Sequence, residues 1–191
     1  MRAGFNYISQ WLERENPGKT YQIVSAGGAC SVLVFKNRKK TKDVDVYTPN
    51  ADDLAAVLAA GRDYVRYSGA PPSWINIAYV ANNRGGDTLF DNSVRQRVLL
   101  YESATLQVFA ADWRFQLVGK IVRAGNFEDP KDIKDAVSIL RILVEERGGM
   151  LKLSEMRDWY ESGALIRPEH VELINKEYES KYDELGIAVE I

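Results

Sequence analysis

The chain has 191 residues with a formal net charge of −2, and 46% of its residues are hydrophobic. This length suits one domain or a domain with an appendage and allows a sizeable core. With this net charge the protein has no overall positive potential that would attract nucleic acid. A single cysteine excludes a disulfide framework within the chain. No apolar run approaches the ~20 residues that span a bilayer, and the N-terminal segment lacks a signal-peptide core. We therefore expect a protein of the cytoplasm, with the nucleus as the alternative, and without a membrane partner.

Hydrophobic periodicity predicts mixed helices and strands in the first part of the chain. An N-terminal helix has apolar residues at helical spacing and ends before Asn16-Pro17-Gly18. Strands are predicted over residues 20–24, 43–48, 74–80 and 105–110, and helices over residues 52–66 and 90–100. Residues 29–35 stay open, because their β-branched valines favour a strand while their position after Gly27-Gly28 favours a helix.

From residue 112 onward the pattern predicts helices alone. One helix ends near Gly125, and a second begins at Asp129-Pro130 and stops at Gly148-Gly149. Two further helical segments cover residues 153–162 and 167–185. The order of elements is therefore a mixed region followed by an all-helical region.

Asp43 and Asp45 are the most informative polar residues, because they interrupt a strand that is otherwise made of valine. Alternate residues of a strand point to the same face, so the two carboxylates share one side, with their Cα atoms about 6.6 Å apart. Val44 and Val46 point to the opposite side, where a core can receive them. Like charges at this separation repel, and a divalent cation with oxygen ligands is the usual reason for such a pair.

The order of these features resembles the signature of the nucleotidyltransferase-fold superfamily. The matching positions are Gly27-Gly28, Ser31, Arg38, Thr41 and the run Asp43-Val44-Asp45-Val46. The small branch of minimal and toxin-type nucleotidyltransferases is the most similar. Residues 116–124 resemble the family's helix that carries a lysine, residues 131–135 resemble its Lys-Asp…Asp run, and residues 108–113 resemble fungal members.

The resemblance implies an α+β fold in which helices flank a mixed, nucleotidyltransferase-like β-sheet. It also implies two regions. Residues 1–148 would form the nucleotidyltransferase-like core with its N-terminal helix, and residues 149–191 would form a helical C-terminal extension packed on that core.

The activity implied by the resemblance is transfer of a nucleoside monophosphate from a nucleoside triphosphate to an acceptor. Asp43 and Asp45 would be the catalytic residues and would hold Mg²⁺ or Mn²⁺ against the triphosphate. Gly27 and Gly28 would bind the nucleotide, because residues without a β-carbon let backbone amides approach phosphates closely. Ser31 would be close enough to hydrogen-bond a phosphate oxygen.

Two further sets of residues are implied at the same site. Lys120 or Arg123, on the helix that follows the last core strand, would contact phosphate. Active members of the family carry a third carboxylate on a neighbouring strand, where this chain offers Asn76. An amide oxygen ligates a cation but does not accept a proton. Glu102 and Asp112 are the alternatives for the third acid.

Other interpretations remain open beside this one. A member without the third acid would keep the fold as a nucleotide-binding or protein-interaction module, or would use its pocket for different chemistry. A basic run at residues 36–42 leaves nucleic acid open as a partner, although the overall charge does not favour it. The sequence identifies neither the acceptor nor an oligomeric state.

Overall fold

A computed structural model describes residues 1–78 and 86–189 of the chain, except for the side chain of Asp87. The described chain forms two compact units. The first unit contains residues 1–78 and 86–112, and the second contains residues 113–189. The prediction of a core over residues 1–148 with an extension over 149–191 stays a prediction.

The first unit is built on a mixed five-stranded sheet, so the chain has an α+β fold. Its strands are β1 (Tyr21–Ala26), β2 (Val44–Tyr47), β3 (Ile75–Asn76), β4 (Leu99–Glu102) and β5 (Leu106–Ala110). They lie in the order β3-β2-β1-β5-β4. Strand β1 runs parallel to β5 and antiparallel to β2, while β2 runs parallel to β3.

Four helices belong to the described part of the first unit. They are α1 (Arg2–Glu15), α2 (Gly28–Leu33), α3 (Ala51–Ser68) and α4 (Gly86–Gln96). Helix α1 buries Phe5, Ile8 and Leu12 at helical spacing and packs on α3, whereas α2 packs against β1 and β2. The side chain of Asn50 accepts two backbone N–H bonds and caps the start of α3.

Helices dominate the second unit. Its elements are α5 (Trp113–Phe127), α6 (Pro130–Arg147), β6 (Leu151–Lys152), α7 (Leu153–Asp158), a 3₁₀ helix (Glu161–Leu165), α8 (Pro168–Tyr182) and β7 (Ile187–Ala188). Helices α5, α6 and α8 pack against one another, and β6 pairs with β7 in parallel. No described helix is both long and apolar enough to cross a bilayer.

Several predicted elements change in the structure. The sequence left both strand and helix open for residues 29–35, and in the structure residues 29–33 of this segment lie in helix α2. The helix predicted over residues 90–100 ends at Gln96, because Arg97 has a positive φ of 58° and Leu99 then pairs with Phe109 as part of β4. The strand predicted over residues 74–80 contains only Ile75–Asn76 among its described residues, and residues 79 and 80 lie outside them. The prediction of helices alone after residue 112 is wrong, since β6 and β7 form a small sheet.

Candidate functional site

A two-glycine turn joins β1 to α2. Gly27 has φ 65° and ψ −124°, a conformation that residues with a β-carbon rarely adopt. A β-carbon on Gly28 would lie 2.1 Å from the Oγ1 atom of Thr41, well inside contact distance. Both glycines are therefore required locally, the first by backbone conformation and the second by the close approach of Thr41.

Asp45 lies on the partly exposed face of β2, and Asp43 immediately precedes the strand, which begins at Val44 rather than at the predicted residue 43. Asp43 and Asp45 are partly exposed, whereas Val44 and Val46 are completely buried. In the sheet, Asp45 is opposite Ala26, the last residue of β1 before the glycine turn. The aspartate pair therefore lies at the end of the sheet where the turn begins.

The aspartates lie close to the turn, and Thr41 lies between Asp43 and Gly28. The Oδ2 atom of Asp45 is 3.9 Å from the position that a β-carbon of Gly27 would occupy. The Thr41 hydroxyl, which packs on Gly28, donates to Oδ1 of Asp43 at 3.3 Å. The structure thus brings together four of the sequence-predicted site residues, Gly27, Gly28, Asp43 and Asp45, with Thr41 between them.

Ser31 lies one helical turn beyond the glycines but points back to them. Its side chain is buried, and its hydroxyl donates to the carbonyl oxygen of Gly27 at 3.2 Å. In this arrangement the Ser31 hydroxyl stabilises the turn from within the chain. Its predicted contact with a phosphate requires that bond to be given up, and it stays a prediction.

Asn76 is the neighbour of Asp45 on the adjacent parallel strand, since the two residues are paired in register. The Asn76 amide closes a local turn, because its Oδ1 accepts from the backbone N–H of Ala78 at 2.8 Å and its Nδ2 donates to the carbonyl of Ser73. A carbonyl oxygen has two lone pairs, so Oδ1 retains one for a further donor or a cation. Asn76 thus lies on the strand next to the aspartates, the position at which the resemblance expects the third acid.

Glu102 does not lie near this group. Strands β1 and β5 separate β4 from β2, so three strand spacings, about 14 Å in all, lie between Glu102 and the aspartates. The Glu102 carboxylate accepts instead from the side chain of Gln107 at 3.2 Å. Asp112 follows β5, with β1 between it and β2, and its backbone N–H donates to the buried Ser93 hydroxyl.

The side-chain oxygens of Asp43, Asp45 and Asn76 determine which kind of cation binding the site suits. Within residues 1–78 and 86–189, no group of three or more His, Cys, Asp or Glu side chains is placed to hold a metal. Asp43 and Asp45 supply two carboxylates, and Asn76 an amide oxygen. Magnesium in nucleotide sites is commonly held by one or two carboxylates together with the substrate phosphates. The residues therefore fit a cation that arrives with a nucleotide better than a permanently bound one.

Lys120 is engaged elsewhere, in the second unit. Its ammonium lies 2.6 Å from Oδ1 of Asp132 and 2.8 Å from Oδ2 of Asp135, and all three side chains are buried. The guanidinium of Arg123 lies 3.0 Å from the second oxygen of Asp132. Two cations therefore balance two carboxylates, and Lys120 would have to leave both partners to contact a phosphate.

One feature of the sequence indicates the ion-pair cluster that Lys120 forms with Asp132 and Asp135. Lys120 lies among the buried apolar residues of α5, where an unpaired ammonium would be too costly to bury. That position alone predicts an acidic partner, which the Lys-Asp…Asp run at the start of α6 supplies.

Comparison of the chain with family models, with curated proteins and with solved structures returns no match. Any function is consequently inferred from the residues of the turn and of β2.

Proposed function

We propose that the protein has a nucleotidyltransferase-like fold and transfers a nucleoside monophosphate from a magnesium-bound nucleoside triphosphate to an acceptor. The observation that carries the proposal is the proximity of Asp43 and Asp45 to the Gly27-Gly28 turn, with Thr41 between Asp43 and Gly28. This arrangement combines an anion-accepting backbone with two cation-binding carboxylates at one end of the sheet.

Each part of the site has a distinct role in the proposal. The turn at Gly27, which has no β-carbon, lets backbone amides face the triphosphate. Asp43 and Asp45 would hold the cation, and the cation would neutralise phosphate charge as the bond to pyrophosphate breaks. Thr41 fixes one carboxylate by hydrogen bonding and packs against Gly28. Thr41 is therefore a positioning residue that keeps the turn and the acids together.

A second candidate function is nucleotide binding without transfer, and Asn76 favours it. An amide beside Asp45 adds neither a negative charge nor a proton acceptor, whereas a carboxylate would supply both. The described residues offer no third carboxylate at this point of the sheet. This candidate keeps the same site and the same cation but lacks the base for the acceptor.

Incubation with Mg²⁺ and each labelled nucleoside triphosphate distinguishes the two candidates. Release of pyrophosphate, with label transferred to the protein or to an added acceptor, supports transfer. Magnesium-dependent binding without pyrophosphate supports the second candidate. Absence of magnesium-dependent binding for all four triphosphates contradicts both.

Paired variants give this experiment its control. Asp43→Asn with Asp45→Asn should abolish the signal. Asp52→Asn with Asp53→Asn should retain the signal. This second pair makes the same charge change but lies in the first turn of α3, outside the glycine turn and the Asp43–Asp45 pair.

A further inference from the structure

The second unit contains a solvent-open cavity of about 490 Å³, in which Glu146, Arg147 and Asp158 are exposed, and which is independent of the nucleotide site proposed above. The C-terminal end of α6, the strand β6, the helix α7 and the first turn of α5 form its walls. Ligand pockets for small molecules span about 300–1,000 Å³, so this cavity has room for a small organic molecule.

One side of the cavity is apolar. Leu143 and Leu151 are nearly buried, and the partly exposed indole of Trp159 lies beside them. The guanidinium of Arg114 is 5.5 Å from the centre of the Trp159 ring. This distance is typical of a cation–π contact, so the indole already carries a cation on one face.

The charged residues of the lining leave an excess of negative charge. Arg147 is bound to Glu155 through both of its terminal nitrogens, which neutralises both groups. Glu146 and Asp158 also line the cavity, and neither makes an ion pair or a side-chain hydrogen bond with any residue that the structure describes. Counted with Arg114, the lining holds two cations and three carboxylates.

The backbone adds to this preference. Helix α6 has 18 residues and ends at Arg147, with Gly148 as its left-handed cap. The C-terminal end of a helix carries a partial negative charge of roughly half an electron, which stabilises nearby cations. Glu146 lies in this last turn. The cavity thus combines a helix C-terminus, an indole and an apolar wall with two carboxylates that have no partner among the described residues.

We propose that the cavity binds a small organic amine. The protonated nitrogen would pair with the Glu146 or the Asp158 carboxylate, and an apolar or aromatic body would pack against Leu143, Leu151 and Trp159. An anion is disfavoured, since it would have to displace Glu155 from Arg147 and approach the carboxylates of Glu146 and Asp158. The proposal does not depend on the nucleotide site, because every residue of the cavity belongs to the second unit.

Calorimetry or ligand-observed NMR on the full chain tests this proposal with three probes of one shape. Phenethylamine carries the cation, 2-phenylethanol is neutral, and phenylacetate is the anion. The amine should bind at least about tenfold more tightly than the other two, which corresponds to about 1.4 kcal/mol. Its affinity should fall as salt is added, because the carboxylates are solvent-accessible.

Variants assign the effect to the cavity. Glu146→Gln with Asp158→Asn should weaken amine binding about tenfold and leave 2-phenylethanol unchanged. Glu172→Gln, an exposed change of the same kind on α8, should leave both affinities as they are. An unchanged far-UV spectrum and unfolding midpoint establish that the double variant is folded.

Three results would overturn the proposal, and all use the unmodified chain. Absence of amine binding up to about 10 mM would exclude the site at any useful affinity. Equal affinity for the amine and the alcohol would mean that only the apolar wall is recognised. Tighter binding of phenylacetate would make the two arginines an anion site.

Discussion

Two pairs of aspartates, one in each unit, have the same charge but different environments. Asp45 on β2 and Asp43 immediately before it are partly exposed, next to a glycine turn and a threonine hydroxyl. Asp132 and Asp135 are buried on α6, where the ammonium of Lys120 contacts both. In each pair the spacing suits the element, since residues two apart on a strand and three apart on a helix share a face.

The difference between the pairs shows how burial decides what an acidic motif does. A buried carboxylate is stable only when a charge or hydrogen bond within the protein compensates for lost water. The Asp132–Asp135 pair meets this condition through Lys120, so it stabilises the packing of α5 on α6. The Asp43–Asp45 pair reaches solvent beside the glycine turn for which we propose phosphate binding, so it is accessible to a cation from outside the chain.

The largest effect is expected on removing the ammonium of the buried cluster. Lys120→Met would leave two buried carboxylates without their main partner, and we expect the free energy of unfolding to fall by about 3–5 kcal/mol. Urea unfolding followed by far-UV circular dichroism measures this change. Arg123→Gln removes the half-exposed partner of Asp132 and should cost about 1 kcal/mol or less. Equal losses in the two variants would contradict the assignment of Lys120 as the central cation.

Gly28→Ala should have the next largest effect, now on the first unit. The added methyl would lie 2.1 Å from Oγ1 and 2.8 Å from Cβ of Thr41, so the turn and the loop before β2 must separate. Overpacking of this kind costs about 1–3 kcal/mol. Magnesium-dependent triphosphate binding should weaken in the same variant, because Thr41 also holds Asp43. A variant with normal stability and normal binding would exclude this contact as a determinant of the site.

His170 is a buried titratable residue of the second unit, and the hydrogen bond described for its ring is donated by a cation. Arg167 donates to Nε2 at 3.0 Å, so the neutral ring keeps its proton on Nδ1, which makes no hydrogen bond with the described residues. Burial, and secondarily the charge of Arg167, lower the pKa of His170 below its ordinary 6.5, and Glu169 only partly opposes this. On α5, Gly125 packs against the imidazole.

The sign of the pH effect follows from the lowered pKa of His170. As the pH falls below 6.5, the imidazole of His170 becomes protonated in the unfolded chain, whereas the buried imidazole of the folded chain stays neutral. Protonation therefore favours the unfolded chain, and the free energy of unfolding falls. Melting temperatures should therefore drop as the pH is lowered through this range. His170→Gln should flatten the dependence between neutral and mildly acid pH. An identical slope in the variant would assign the effect to other groups.

The smallest effect is expected on changing Asn76, and it distinguishes nucleotidyl transfer from nucleotide binding without transfer. Asn76→Asp would place a third carboxylate in register with Asp45 while keeping an oxygen for the N–H of Ala78. Magnesium affinity in the presence of triphosphate should rise by about tenfold or less. A gain of pyrophosphate release in this variant alone would identify the natural chain as the binding form. A loss of magnesium affinity would show that Asn76 does not face the cation.

The sequence predicted the local parts of this fold well, because they follow from periodicity and stop signals. The apolar stripe of α1, the Asp129 cap of α6 and the in–out alternation of β2 all appear in the structure. The resemblance also implied that the glycine turn lies near Asp43 and Asp45, and in the structure Asp45 is paired with Ala26, next to the turn. These features depend on residues close together in the sequence.

The features that the sequence did not predict depend on distant partners. Leu99 and Leu100 extended a helical pattern and became β4 because β5 was available for pairing. The two-residue strands β6 and β7 stabilise each other although α7 and α8 separate them along the chain. Glu102 was an alternative for the third acid, but the strand order places it on the edge strand β4, with β1 and β5 between it and β2. The cavity of the second unit likewise has no local signal.

Titration calorimetry with Mg²⁺ and a nucleoside triphosphate tests the central claim most directly. We predict a binding heat that requires both the metal and the nucleotide, and that disappears in the variant Asp43→Asn with Asp45→Asn while its unfolding midpoint stays the same. Equal nucleotide binding in the presence of a chelator, or undiminished binding by that folded variant, would contradict this prediction.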